Sequence, residues 1–326
     1  MMKSRVKISF CIYFNVLKKL KHTDFLLLLL LFFPFASIAE LNAPECETVE
    51  DYEETTPTPT PVEYGEGLLW KVSKAGTPAN YIFGTIHVSD EAIVNLPNDV
   101  SEALIQATNF VMEVIPEPAE VMTFASLMYF ADGQKLSDHV SQALYDEIVS
   151  LLAAYHLPAE TVVLLKPWAA FLTMSYPPEF GQVLDMQLLH KARQLGAKVK
   201  GLESMQEQID IFNTLPLRSQ VKILSDTVCH YELAEADFEK MKSLYIARDL
   251  AGLYAFSQRY SLSDDEVYND LIKKLLVDRN YTMAERMQTE LENGNAFVAI
   301  GAMHLPGAEG VLSLLAKSNY EISRVY

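Results

Sequence analysis

The stretch "NYIFGTIH", Asn80 to His87, and the later stretch "NAFVAIGAMHLPG", Asn295 to Gly307, share one pattern. Each begins with Asn, continues as an apolar run and contains G-x-x-H. An apolar run bounded by turn residues predicts a buried strand, and a glycine near its end permits a sharp turn or the close approach of another group. The repeat therefore predicts two strand ends that each present a histidine. The paired residues are Gly84 with His87 and Gly301 with His304.

Further apolar runs and amphipathic segments extend this pattern along the chain. The runs "NFVMEVI", "AKVKGLE" and "YEISRVY" predict strands. Helical spacing of apolar residues covers five segments: Leu96 to Ala107, Ser137 to Tyr155, Val183 to Leu195, Arg218 to Tyr245 and Asp264 to Asn293. Strands interleaved with helices predict an α/β (α+β) fold. The largely helical middle, from Ala119 to Arg193, is expected to form an insertion or cap.

Two glutamates occupy positions that resemble those of the histidines. Glu113 closes the apolar run "NFVMEV", and Glu203 follows "AKVKG". An ionised carboxylate beside a buried strand needs a cation, a metal ion or hydrogen bonds. Two histidines and two glutamates supply ligands that Zn, Mn or Co accepts. A purely structural role stays open at this point, with His87 hydrogen-bonded in the core and Glu113 capping a strand.

The N-terminal region predicts export. Six basic residues precede the apolar run "FLLLLLLFFPF", Phe25 to Phe35, and small residues follow at Ser37 and Ala39. This order is typical of a secretory signal peptide over residues 1–39, with a membrane-anchored N-terminus as the alternative. Residues 40–66 lack Lys and Arg and contain "TTPTPTPVE", which predicts a solvated linker before a domain at 67–326. We therefore expect a periplasmic or secreted protein with no stable membrane span after signal cleavage.

Charge and cysteine content narrow the partners and the redox chemistry. The chain has 43 Asp and Glu against 26 Lys and Arg, a formal net charge of −17, which makes nucleic acid an unsuitable partner. Without a C-x-x-C motif, a thiolate zinc site has no support. Cys11 would leave with the signal peptide. Cys46 and Cys229 could pair in an oxidising compartment or stay as free thiols.

Several motifs in a fixed order resemble those of the TraB/GumN family, which is related to Tiki-type metalloproteases. They are "YIFGTIHVSD", "LPNDVSEALIQATNFVMEV", "GLESMQEQ" and "DRNYTMAERMQTELENGNAFVAIGAMHLPGAEGVLSLL". The resemblance covers roughly residues 67–326 and indicates an exported bacterial member. It implies an internally duplicated sheet core in which two G-x-x-H motifs and two glutamates line one cleft.

The resemblance also implies roles for individual residues. His87 and His304, with Glu113 or Glu203, would hold a divalent metal ion beside Gly84 and Gly301. The other glutamate would act as general base. The family's Arg-Asn pair matches Arg279 and Asn280, where the arginine would receive developing negative charge or a peptide carboxylate. A structural salt bridge is the alternative for Arg279. Asn280 also begins an N-x-T triplet, a possible glycosylation site.

The resulting functional hypothesis is a divalent-metal-dependent peptide hydrolase with a peptide or protein substrate. One alternative is an exported protein that binds or sequesters peptides, including pheromones, without cleaving them. Another is a carrier of haem or metal. The 12 methionines do not decide for the carrier, because several lie in apolar runs where Met normally fills the core.

Overall fold

A computed structural model describes residues 61–178, 181–258 and 266–326. The predicted signal peptide and most of the predicted linker lie outside these residues. Residues 61–66 belong to the packed structure, since the Tyr64 ring lies edge-on to Trp70 with 5.3 Å between centroids. The Ser313 hydroxyl donates to the Glu63 carboxylate at 2.8 Å. Contacts of the folded domain therefore begin before Gly67, the boundary predicted from composition.

Six strands in the described residues form one sheet in the order β4-β3-β5-β2-β1-β6. Their bounds are β1 Leu69–Ser73, β2 Asn80–Thr85, β3 Asn109–Met112, β4 Lys198–Gly201, β5 Ala296–Gly301 and β6 Glu321–Arg324. Strands β4, β3, β5 and β2 run parallel, whereas β1 pairs antiparallel with both β2 and β6. All the predicted strands are confirmed. The carboxyl ends of the four parallel strands consequently meet at one edge of the sheet.

Fifteen α-helices accompany this sheet in the described residues, and the mixed α/β class is confirmed. Before β4 the α-helices are α1 Glu91–Val94, α2 Asn98–Gln106, α3 Pro118–Leu127, α4 Gln142–Ala153, α5 Ala159–Val162, α6 Pro167–Met174 and α7 Leu184–Gln194. After β4 they are α8 Met205–Asn213, α9 Leu217–Cys229, α10 Ala234–Ile246, α11 Leu250–Gln258, α12 Glu266–Ile272, α13 Asp278–Arg286, α14 Gln288–Asn293 and α15 Val311–Lys317. Among the described residues, no helix is both long enough and apolar enough to cross a membrane.

Two of the predicted helices are divided in the structure, and a third, predicted from Ser137 to Tyr155, starts in a 3-10 turn and is α-helical only over Gln142–Ala153. The segment predicted from Arg218 to Tyr245 forms α9 and α10, separated by a 3-10 turn at Tyr231–Leu233. The last predicted helix consists of α12, a π-helix at Lys273–Val277, α13 and α14. Apolar spacing continues across each junction, so periodicity gave no sign of the breaks.

The described residues contain two apolar cores. The first lies on the sheet and includes Phe110 and Phe297, whose rings stack with centroids 6.2 Å apart. The second surrounds Trp168 and is built mainly from helices α4, α6 and α9.

The predicted helical insertion at 119–193 agrees with the second core at its N-terminal end, where Phe124 and Leu127 pack against that core, and differs from it on the C-terminal side. Leu184 and Leu188 of α7 pack on the sheet, whereas Leu224 of α9 and Leu271 of α12 join the helical core. The single six-stranded sheet does not establish an internal duplication, which stays a prediction.

Cys229, at the end of α9, is disulfide-bonded. The other two cysteines, Cys11 and Cys46, lie outside the described residues. The alternative of a free thiol at Cys229 is therefore wrong.

Candidate active site

The carboxyl edge of the four parallel strands carries the charged residues singled out in the sequence. Glu113 directly follows β3, and Glu203 lies two residues beyond β4. His87 lies two residues beyond β2, and His304 ends a 3-10 turn that follows β5. This edge is where parallel α/β sheets usually bind ligands, because the loops leaving the strands converge there.

Glu113 is held by donors from three parts of the chain. Its Oε1 accepts the Gly301 N–H at 2.6 Å, and its Oε2 accepts from Arg279 Nη2 at 2.6 Å and Gln208 Nε2 at 3.3 Å. Burial by itself would raise the pKa of Glu113. His304, Arg279 and the Gly301 N–H outweigh burial and lower this pKa to about 2. Glu113 is consequently ionised at neutral pH.

Arg279 joins the two glutamates. Its Nε donates to both carboxylate oxygens of Glu203 at 3.1 Å, and its Nη2 donates to Glu203 at 2.9 Å as well as to Glu113. Its Nη1 donates to the Leu275 carbonyl, inside the π-helix. Only 14% of the Arg279 side chain and 4% of the Glu203 side chain are exposed. The guanidinium therefore offsets two carboxylates that are largely removed from solvent.

The hydrogen bonds around His304 define which ring nitrogen carries the proton. Asn280 donates through Nδ2 to the Glu309 carbonyl at 2.9 Å, which directs its Oδ1 toward His304 Nδ1 at 2.7 Å. Because an amide oxygen only accepts, His304 must donate through Nδ1. Its Nε2 therefore carries a lone pair and lies 3.7 Å from Glu113 Oε1. Burial lowers the pKa of His304 to about 4 despite the nearby Glu113, so the ring is neutral at neutral pH.

His87 is oriented in the same way by a different group. Its Nδ1 lies 2.7 Å from Oδ2 of Asp185, and the other Asp185 oxygen accepts from the Thr85 hydroxyl at 2.6 Å. Burial of the ring would lower the pKa of His87, but the Asp185 carboxylate outweighs this and raises it to about 9. Solvent reaches 55% of the His87 side chain, which weakens the interaction. The two histidines thus share an orientation and differ in environment.

The two glycines of the repeated motif have different roles. A Cβ on Gly301 would lie 3.2 Å from Glu113 Oε1 and 3.4 Å from His304 Cδ2, so this glycine lets the site close around the strand end. A Cβ on Gly84 would lie 2.8 Å from Leu305 Cδ1 and 3.0 Å from Ala302 Cα. Gly84 therefore permits packing between β2 and the exit of β5, and the predicted cofactor contact at this residue stays a prediction.

The structure brings most of the predicted site residues into direct contact. His304, Glu113, Glu203 and Arg279 form one connected group. His87, which follows the neighbouring strand β2, is bonded to Asp185 of α7. The charge of His87 interacts with those of Glu113 and Arg279 without a direct bond.

Sequence reasoning missed Asp185 and Gln208. Asp185 could have been noticed as an acidic residue on the apolar face of α7, between Leu184 and Leu188. Gln208 donates to both glutamates, at 3.3 Å to Glu113 and 3.1 Å to Glu203. Gln208 is half-buried on α8, and its polar sequence neighbours gave no signal.

The N-x-T triplet at Asn280 has a structural explanation. Asn280 is 4% exposed, and both ends of its amide are used, by His304 and by the Glu309 carbonyl. A glycosylated asparagine must project into solvent. The folded chain is therefore a poor acceptor at this position.

Together these features define an α/β protein with a histidine, carboxylate and arginine site at the carboxyl edge of a parallel sheet. The model of the TraB/PrgY/gumN family matches residues 68–324, and the chain belongs to this family.

Similar proteins include metalloproteases. The chain is 23% identical over 332 aligned residues to metalloprotease TIKI2 of Danio rerio, covering 84% of this chain and 64% of that protein. It is 21% identical over 312 residues to metalloprotease TIKI1 of Homo sapiens, covering 78% and 61%. A metalloprotease TIKI homolog of Amphimedon queenslandica is 22% identical over 313 residues, covering 79% and 61%. The chain thus spans less than two thirds of the length of these relatives. No solved structure matches the chain significantly.

The relatives' names raise the question of whether this site fits a metal ion. Among the described residues, no three or more His, Cys, Asp or Glu side chains are grouped closely enough to hold one. The donor chemistry nevertheless fits. In both histidines a side-chain oxygen binds Nδ1 and leaves Nε2 for a ligand bond, as is usual for metal-binding histidines, although His87 would have to release a proton when a metal ion binds. Arg279 engages the carboxylates of both glutamates, so each would have to leave part of this ion pair to bind a metal ion.

Proposed function

We propose that this chain is a peptidase-like hydrolase that acts at the carboxyl edge of its sheet. The observation that carries the proposal is the matched orientation of His87 and His304. Each ring is bonded through Nδ1 to a side-chain oxygen that is nearly buried, which leaves Nε2 of both rings for chemistry. Nε2 of neutral His304 already carries a lone pair, whereas His87, with its pKa raised to about 9, must first release a proton. The similarity to proteins named metalloproteases supports the same reaction class.

We further propose that His87, His304 and Glu113 hold a divalent Zn, Mn or Co ion. Such an ion, when bound, lowers the pKa of a water ligand and polarises a peptide carbonyl. Glu113 suits the ligand role better than the proton-accepting role, because a carboxylate with a pKa near 2 is a weak base. Gly301 borders this site, since a Cβ there would meet Glu113 and His304, while Gly84 is proposed to support it by letting β2 pack closely against the exit of β5.

Glu203 is then the proposed general base. Isosteric changes separate the two glutamates: Glu113→Gln is expected to lose bound metal and turnover, whereas Glu203→Gln keeps the metal and loses turnover. Equal metal loss in both variants would contradict this division. Arg279 is proposed to set the spacing of the carboxylates and not to receive an oxyanion, since its Nε, Nη1 and Nη2 already donate to protein groups.

A second candidate is a peptide-binding protein that needs no metal. The observation that favours it is the charge compensation by Arg279, which leaves no group of three ligand side chains in the part of the chain that the structure describes. In that case the same edge would hold a peptide without cleaving it.

The deciding experiment measures metal content and peptide cleavage on the whole chain. Wild type, His87→Ala, His304→Ala and the control His190→Ala are dialysed identically, analysed for Zn, Mn and Co, reloaded, and incubated with a mixed peptide library read by mass spectrometry. His190 is an exposed histidine bonded to Gln194, so its loss tests for nonspecific effects. The hydrolase predicts metal and cleavage in wild type and in His190→Ala, with both lost in the two site variants.

Other outcomes have definite meanings. Cleavage that survives chelation and both site substitutions would contradict the proposed metal site. Saturable peptide binding without products, in protein that takes up no metal, would establish the second candidate.

Export is proposed together with this activity, on the basis of the N-terminal sequence. Expression of the whole chain followed by cell fractionation and N-terminal sequencing tests it. A chain that keeps residues 1–39 in the cytoplasmic fraction would refute export.

A further inference from the structure

Strand β4 ends the sheet next to the candidate active site and pairs only with β3. The N–H groups of Lys198 and Leu202 donate to carbonyls at Thr108 and Met112, on the β3 side. Because hydrogen-bonding groups alternate between the two edges of a strand, Val199 and Gly201 direct theirs away from β3. Within the described residues, neither has a hydrogen-bond partner on that outer side. β4 therefore offers unpaired backbone donors and acceptors at the free edge.

In a strongly acidic chain, β4 and the end of the preceding helix α7 carry a cluster of cationic residues. Four cationic residues lie within ten positions, whereas the whole chain carries a net charge of −17. They are Lys191, Arg193, Lys198 and Lys200. Lys200 pairs with Glu290 at 3.0 Å, and Arg193 approaches Glu117 only to 3.9 Å. Lys198 is exposed and has no carboxylate partner among the described residues. This local charge is complementary to an acidic segment.

The edge leads directly into the site. β4 ends at Gly201, and Glu203 follows two residues later, with its N–H donating to the Glu113 carbonyl at 2.7 Å. A peptide paired along β4 would consequently continue past the carboxyl ends of β4 and β3, where Glu203 and Glu113 lie. The other free edge, at β6, lies at the opposite side of the sheet, with four strands between it and β4.

We infer that the outer edge of β4 binds an extended, acidic segment of the peptide substrate as an additional strand. This inference rests on the proposed function and adds the substrate class: an unfolded segment, recognised through its backbone, with acidic side chains near Lys198. Adding a strand to an exposed sheet edge is a common way to recognise peptides without demanding one sequence. Short edge strands that carry lysine also resist pairing with other folded sheets, which suits a site reserved for an unfolded ligand.

The test measures binding of labelled peptides to the whole chain by fluorescence anisotropy, with mass spectrometry to verify that each probe is intact. The probes are an alternating Glu-Val peptide and a Lys-Val peptide of equal length. We expect the Glu-Val peptide to bind at least about tenfold more tightly at low salt. Lys198→Glu should remove most of that preference. The control is Lys71→Glu, which changes the same charge on β1, a strand paired on both edges.

Backbone pairing is tested with two Glu-Val probes that carry N-methyl groups on alternate residues, in opposite phases. Only one phase faces a given strand edge, so one probe should lose binding and the other should keep it. Val199→Pro, which removes an outward N–H at an edge where proline is tolerated, should weaken the unmethylated probe. Equal loss in both phases, or no charge preference, overturns the inference.

The outcome is separable from that of the proposed function. Phase-dependent binding without any cleavage would support the inference and count against the hydrolase. Cleavage of peptides with no phase or charge dependence would support the hydrolase and overturn the inference.

Discussion

The two G-x-x-H segments place similar residues at neighbouring strand ends and give them opposite surroundings. His304 is 6% exposed in its side chain, is bonded to the Asn280 amide, and faces Glu113 within the Arg279 network. His87 is 55% exposed and is bonded to the Asp185 carboxylate. A repeated motif therefore sets the position and ring orientation of a histidine, while the group behind Nδ1 and the access of water set its charge.

The largest effect on the free energy of unfolding is expected from removing the Arg279 charge beside Glu113 and Glu203, in the buried surroundings of His304. Arg279→Met leaves Glu113 and Glu203 without their shared cation, and breaking a buried ion pair in this way costs about 3–5 kcal/mol of unfolding free energy. Arg324→Met is the matched control, because its pair with Glu66 is exposed and should contribute less than about 1 kcal/mol. Urea denaturation of both variants provides the measurement. Similar losses in the two would show that the Arg279 network is not a buried charge system.

The next effect concerns the groups behind the two rings. Asn280→Ala and Asp185→Ala each remove the acceptor that orients a histidine, and loss of such partners typically costs about 10–100-fold in activity or metal affinity. Cleavage rates and metal titration of the refolded variants measure the losses. If both histidines act in one site, the two variants lose activity together. Full activity in Asp185→Ala would remove His87 from the reaction.

A smaller effect separates the motif glycines. Gly84→Ala places a methyl group 3.0 Å from the Ala302 backbone and should cost about 1–3 kcal/mol of stability through overpacking. Gly301→Ala meets Glu113 Oε1 at 3.2 Å, so we expect a lower cost in stability, under about 1 kcal/mol, together with reduced activity. Thermal unfolding combined with the cleavage assay distinguishes them. A larger loss of stability in Gly301→Ala would reverse these assignments.

The smallest effect is a difference in how stability depends on pH. The pKa of His87 rises from 6.5 to about 9 on folding, so its contribution is complete below pH 6.5 and is lost between pH 6.5 and 9. The pKa of His304 falls to about 4, so its contribution is complete above pH 6.5 and is lost as the pH falls toward 4. The alkaline loss is the smaller one, because water screens His87.

Asp185→Asn should flatten only the alkaline side of the stability profile, and His304→Gln only the part of the acid side that His304 contributes. Denaturation midpoints between pH 4 and 9 measure both. An unchanged alkaline side in Asp185→Asn would show that this carboxylate does not control the charge of His87.

Five of the six strands and the position of the candidate site were predictable because both depend on short local patterns, whereas β1, Leu69–Ser73, was not predicted as a strand. The apolar runs ending near Gly84 and Gly301 identified β2 and β5, and parallel pairing then brings their histidines to one edge. The resemblance to a known family identified Arg279. Its partners could not be inferred, since the contact of Arg279 with Glu113 joins residues 166 positions apart.

The surroundings of the two histidines could not be predicted from the sequence. His87 and His304 occur in nearly identical local sequences, and only packing places Asp185 behind one and Asn280 behind the other. The break between α12 and α13 was missed for a related reason. The apolar residues of α12 pack in the helical core and those of α13 pack on the sheet, but their spacing along the sequence is continuous.

The π-helix at Lys273–Val277 has a consequence for how this site could be lost or gained. It contains the Leu275 carbonyl that receives Arg279, and it joins α12 on the helical core to α13 on the sheet. A π-turn takes one residue more than an α-turn. Deleting a single residue there would close the π-turn to an α-turn and leave α13 in place, whereas inserting one residue would rotate α13 by about 100° relative to α12 and carry the guanidinium away from both carboxylates. Gain of one codon, with every site residue retained, would therefore be enough to silence the site, while loss of one codon at the π-helix would be absorbed.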